Sequence, residues 1–242
     1  MRSLLPREHG LWCWVCVPLL AALLLAPEPG SAGGALAILA VFGAGNGARR
    51  GAWAAAGWSA AFAAGIGLAV VPALRLPLVW AGTLGLLAAG HVLAVRLGAG
   101  AWGRRAPNAT LLELGAIAAF AGAGVGLAVA NGAAASTAAL VAVTLVTWEV
   151  IGLWWVRGQL ARVLPGRLPW RAGPWGIAVL VLLTIVAASA LGRLPVALLP
   201  ALYLVRAGTT RPVRGPRDAR RIGLGEALWA GIVAVLATLA VR

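Results

Sequence analysis

Long apolar runs, separated by short segments carrying Arg, Gly and Pro, make up nearly the whole chain. A helix needs about 20 apolar residues to cross a hydrocarbon core, with about 17 to 25 usual. Nine segments meet or approach that length: 11–26, 32–48, 52–72, 76–97, 109–130, 134–157, 174–192, 194–207 and 223–241. Backbone polar groups in lipid must find partners within their own segment, which makes each run a helix. A transmembrane barrel would need polar residues alternating with apolar ones, and no run has that pattern. The expected fold is therefore all-α, a single transmembrane helical domain over 1–242. The first and eighth runs are short for a full crossing, and Pro200 predicts a thin or kinked path for the eighth.

Composition excludes the alternatives. The 242 residues are 62% hydrophobic and 11% charged, against about 25% charged in a soluble domain. There are too few charges to cover a water-facing surface. The 20 basic residues are all Arg and face 6 acidic ones, for a net charge of +14. Such a balance would suggest nucleic acid if the Arg residues shared one solvated face. Here they lie between apolar runs, where the positive-inside rule puts them. With nine spans and the N-terminus inside, 17 of the 20 fall in cytoplasmic segments, leaving Arg75, Arg193 and Arg242 outside. That asymmetry predicts an N-in, C-out protein of a bacterial inner membrane and requires the eighth run to cross. Residues 1–32 also resemble a signal peptide, with Arg2 and Arg7 before an apolar run and Ser31–Ala32–Gly33 after it, but the first run is read as a retained span.

Tryptophan follows the same asymmetry. Trp12, Trp14, Trp53, Trp58, Trp148, Trp154, Trp155, Trp175 and Trp229 fall in the inner halves of their spans, Trp102 and Trp170 in inner loops, and Trp80 near the outer face. They either anchor the interface or line a pocket open to the cytoplasm. The small-xxx-small pairs Gly47/Gly51 and Gly122/Gly126 predict close helix packing.

Charged groups inside spans are costly and are functional candidates by default. Glu113 opens the fifth span and Glu226 the ninth. Glu149 lies eight residues before Arg157 in the sixth, about 12 Å from its inner end at about 1.5 Å per residue. His91 is near the inner end of the fourth span, Asn46 ends the second, and Glu8 and His9 open the first. Arg49, Arg50 and Arg157 face this group from the inner loops. One interpretation is structural, with carboxylates at helix starts paired to loop Arg. The other is a polar cavity open to the cytoplasm and ringed by Arg, suited to the anionic head group of a lipid or isoprenoid.

Other chemistry is thinly represented. Cys13 and Cys16 share a helical face but have no second pair, which favours packing over metal or redox work. His9 and His91 are too isolated to argue for haem. Phosphate-loop, nucleophile-elbow and zinc-protease motifs are absent from the sequence. No metal site is expected, and the residues name no cofactor.

The stretch Leu5–Pro6–Arg7–Glu8–His9–Gly10–Leu11–Trp12, followed by Pro18, resembles the opening of the YwiC-like family of bacterial membrane proteins. Leu11 stands where that family has Ala. Trp155–Val156–Arg157 and the Arg-rich approach to Ile222, Gly223 and Glu226 are also similar. The resemblance implies a multi-pass membrane protein with Glu8, His9, Gly10 and Trp12 as signature positions, and implies no activity. In architecture the chain is also similar to UbiA-type prenyltransferases, with polar inner loops after spans 2 and 6. Their Asp-rich magnesium motifs are missing, since the only Asp is Asp218. Three functions stay open: binding or processing an amphipathic anionic ligand, small-molecule transport, and a membrane scaffold or assembly factor.

Overall fold

The computed structural model describes residues 9–49, 57, 106–160, 174–209 and 216–242. Among these every regular element is helical. They are α1 (His9–Leu25), α2 (Pro29–Arg49), α3 (Ala106–Ala130), α4 (Ala135–Leu160), α5 (Pro174–Ala190), α6 (Leu194–Ala197), a 3-10 turn (Leu199–Ala201), α7 (Leu202–Thr209) and α8 (Pro216–Val241). Three stretches are long and apolar enough to cross a membrane: Glu113–Ala130, Ala135–Gln159 and Arg221–Val241. Shorter apolar helices cover Trp14–Leu25, Pro29–Ala44 and Val181–Ala190. The expected spans at 52–72 and 76–97 lie outside the described residues, apart from Gly57.

Local sequence sets the helix ends. Pro29, Pro174 and Pro216 each occupy a first helical position, where a missing N–H costs nothing. α3 and α5 both end on a glycine with positive φ, Gly132 (97°) and Gly192 (65°). At each, the next residue's N–H reaches five residues back: Ala133 to the Ala128 carbonyl at 3.0 Å, Arg193 to that of Ala188 at 2.7 Å. The glycine N–H bonds the carbonyl three back, which completes a Schellman cap. The Asn131 side chain donates to the Leu127 carbonyl at 2.7 Å and tightens the α3–α4 turn.

The sequence predicts one eighth run, and the structure breaks it into α6, the 3-10 turn and α7. Pro195 and Pro200 explain the break, because neither supplies an amide donor to the preceding turn. The last helix also begins earlier than hydropathy predicts, at Pro216, so Asp218 sits in its first turn, where the helix dipole favours a carboxylate.

α1 is the centre of the bundle and packs along α8 and α3. Arg242, which follows α8, donates to the carbonyl of Leu24 at the end of α1, so the two helices run parallel. α2 folds back on α1, pairing Ala35, Ile38 and Phe42 with Ala22, Leu19 and Val15 in one apolar cluster. α3 and α4 form an antiparallel pair, and α4 also lies against α8. The starts of α1, α3 and α8 and the ends of α2 and α4 therefore share one end of the molecule. The predicted Gly122/Gly126 contact is not made at Gly122, where a side chain would meet nothing within 4 Å. The close approach is at Gly124, where a Cβ would stand 2.7 Å from the Pro18 carbonyl oxygen of α1.

Candidate functional site

The shared end carries the described charged groups that lie inside apolar helices. Arg157, in the last turn of α4, pairs with Glu113 near the start of α3. Arg206 on α7 pairs with Glu226 on α8: Nη2 lies 2.6 Å from Oε1, and Nε donates to the same oxygen at 2.8 Å. The second carboxylate oxygen accepts from the Tyr203 hydroxyl at 3.0 Å. Both Arg side chains are buried, and burial is tolerable because each cation has a carboxylate in contact.

Aromatic rings enclose the second pair. The Arg206 guanidinium lies 5.6 Å from the Trp155 ring centroid and 5.9 Å from that of Trp229, within cation–π range of both. Trp148 stacks on Trp229 at 6.4 Å and meets Tyr203 edge-on at 4.8 Å. Trp155 also meets Tyr203 edge-on, at 6.2 Å. Two glycines make room for the network. A Cβ at Gly152 would sit 3.1 Å from Glu226 Oε2, and one at Gly225 would sit 3.0 Å from Arg206 Nη2.

Glu149 lies one helical turn before Gly152 and feels the charge of Glu226. Its Oε1 is sealed from solvent and has no hydrogen-bond partner among the described residues. The same is true of the indole Nε1 of Trp148, a side chain only 1% exposed. Buried polar atoms without partners are rare in native proteins, and two on consecutive residues single out this turn of α4.

Four of the ten predicted site residues thus have described side chains. Glu149 and Glu226 share one cluster, while Glu113 and Arg157 form a separate ion pair. His9 begins α1 and Asn46 and Arg49 lie in the last turn of α2, at the same end of the bundle, but their side chains are outside the described residues. Glu8, Arg50 and His91 are outside them altogether. Of the Cys-Trp-Val-Cys pair, Cys16 is a free, exposed thiol and the Cys13 side chain is not described. Among the described residues no group of three or more His, Cys, Asp or Glu could hold a metal.

Tyr203 and Arg206 are not singled out as site residues by sequence, while Trp155 and Trp229 are among the tryptophans read as interface anchors or pocket lining. A signal for both exists: Tyr203 and Arg206 are three apart, on one helical face, and Tyr203 is the only Tyr in the chain. Away from this cluster, α1, α3 and α4 border a small apolar notch of about 10 Å³, lined by Pro18, Ala21, Leu25, Gly124 and Leu145 among others. Leu145 lies one turn before Glu149 on α4.

Comparison of the chain with protein-family models, with curated proteins and with solved structures gives no match.

Proposed function

We propose that this chain is a nine-span protein of a bacterial inner membrane, N-terminus cytoplasmic and C-terminus outside, that holds an amphipathic ligand by its head group. The observation that carries the ligand reading is the cluster of Glu149, Glu226, Tyr203, Arg206 and tryptophans at one end of an apolar bundle. Ionisable groups persist inside membrane helices where function requires them.

Helix direction supports the nine-span topology. α1 and α8 run parallel, as an odd number of crossings demands. Arg157 and Arg206 lie at the end assigned to the cytoplasm, and Arg242 at the other. Large apolar side chains stand exposed along α5 and α8, including Val179, Leu182, Leu183, Leu228 and Leu239. Lipid covers such surfaces, and water does not. The opening motif supports placement in the YwiC-like family.

A second function, transport, is favoured by one observation: the helix break between α6 and α7. Discontinuous helices form the substrate sites of many transporters.

Native mass spectrometry on gently purified protein tests the ligand reading. A reproducible bound amphiphile, retained by the wild type and lost from Glu149→Gln and His9→Ala variants that still insert, supports it. A clean apo mass combined with solute uptake in proteoliposomes moves the assignment to transport.

A further inference from the structure

The abundance of Arg points toward an anionic ligand, but the described geometry runs the other way. Arg157 and Arg206, the two buried Arg side chains among the described residues, each contact a carboxylate. Arg206 is the cation beside the Glu149 cluster, and its Nε and Nη2 serve Glu226 Oε1 while its faces lie against Trp155 and Trp229. The Tyr203 hydroxyl, a neutral donor of the same cluster, is spent on Glu226 Oε2. Among the described residues this leaves Glu149 as a carboxylate inside a membrane-length helix with no cation and no donor on Oε1.

Three features define what would complete it. A hydrogen-bond donor or a positive charge would satisfy Oε1, since a carboxylate oxygen accepts. The surroundings are aromatic: Trp148, the preceding residue of α4, contacts both Tyr203 and Trp229. Carboxylate and aromatic faces together are the chemistry that recognises ammonium groups. Glu149 is sealed at Oε1, while the residue as a whole keeps intermediate exposure. The second unsatisfied atom, Trp148 Nε1, belongs to a side chain that is itself buried.

From this geometry we infer that the ligand's head group is cationic, an amine or quaternary ammonium bound by Glu149 against the Trp148–Tyr203–Trp229 wall. The inference rests on the amphipathic-ligand reading above and assigns its head-group class. The paired Arg206 keeps Glu226 from competing for the same cation.

The test uses the full chain in neutral detergent, titrated with amphiphiles that share one alkyl chain: dodecyltrimethylammonium, dodecyl phosphate and dodecyl maltoside. Binding is read by native mass spectrometry and by tryptophan fluorescence. The expected result is saturable binding of the ammonium amphiphile about tenfold tighter than the phosphate one, with the preference abolished in Glu149→Gln. Equal or tighter binding of the phosphate amphiphile by the wild type overturns the cationic head group and leaves the amphiphile pocket standing. Absence of saturable binding by any of the three overturns both. An ammonium preference that survives in Glu149→Gln removes Glu149 as the recognising group. If that variant does not fold, Glu149→Asp and the wild-type comparison decide: the shorter carboxylate should weaken the preference without changing its sign. Displacement of the ammonium amphiphile by potassium, and not by tetramethylammonium, would overturn the organic cation in favour of an inorganic one.

Discussion

Arg206 and Glu226 fasten the broken segment of the chain to its last helix. The guanidinium Nε sits 2.8 Å from Oε1, and two tryptophans cover its faces. α7 is only eight residues long and starts from a 3-10 turn, so it has little helix of its own to stabilise it. Removing one member of a buried ion pair strands the other charge, at a cost of about 3–5 kcal/mol. Arg206→Ala should therefore destabilise the protein by that order, measured as unfolding in mixed detergent. Arg206→Met with Glu226→Met should cost less than either Ala single variant. A double-variant loss equal to the sum of the two single losses would mean that the pair is not coupled.

Gly152 and Gly225 belong to the same unit. Their hypothetical Cβ atoms approach Glu226 Oε2 and Arg206 Nη2, both ends of side chains. Alanine at either position displaces the ion pair while leaving the helices intact. The expected cost of Gly152→Ala, about 1–3 kcal/mol as for other overpacked sites, should shrink when combined with Glu226→Ala. A double-mutant cycle checks it, and an additive result would place the strain elsewhere.

Sequence made the convergence of carboxylates at one end legible, because position along an apolar run already fixes depth. It did not separate the Arg residues by role. Hydropathy treats Arg206 and Arg221 alike, yet Arg206 is buried in an ion pair and Arg221 is exposed. The distinction depends on α4 and α8 bringing Trp155 and Trp229 to α7, which is a long-range contact with no local pattern. The early start of α8 was readable from Pro216 and Asp218, but the Arg residues between 217 and 221 gave a loop-like hydropathy. The small-residue spacing marked α3 as a packing helix, but the glycine that meets α1 at Pro18 is Gly124, two positions along from Gly122 and on another face.

Gly124 and Gly122 offer a paired test of that packing. Gly124→Ala puts a methyl group 2.7 Å from a backbone oxygen of α1, and neither backbone can swing away as a side chain would. The helices must separate, with an expected loss of about 1–3 kcal/mol. Gly122→Ala meets nothing and should be neutral or gain up to about 1 kcal/mol from helix propensity. Thermal unfolding of the two variants in one detergent checks the contrast. Similar values for both would show that α1 and α3 do not touch at Pro18.

The proposed topology has a direct consequence for labelling. In a background with Cys13 and Cys16 replaced, single cysteines at Arg75, Arg193 and Arg242 should react with a membrane-impermeant maleimide added to intact cells. Cysteines at Arg50, Arg105 and Arg214 should react only after the membrane is opened. Arg193 is the most informative position, because it lies between α5 and the broken segment. If Arg193 is protected in intact cells and Arg242 reacts, the segment at 194–209 does not cross. The six Arg residues from 206 to 221 would then face the same side as Arg193. The positive-inside balance would survive only with α5 also failing to cross, giving seven spans and the same parallel α1 and α8.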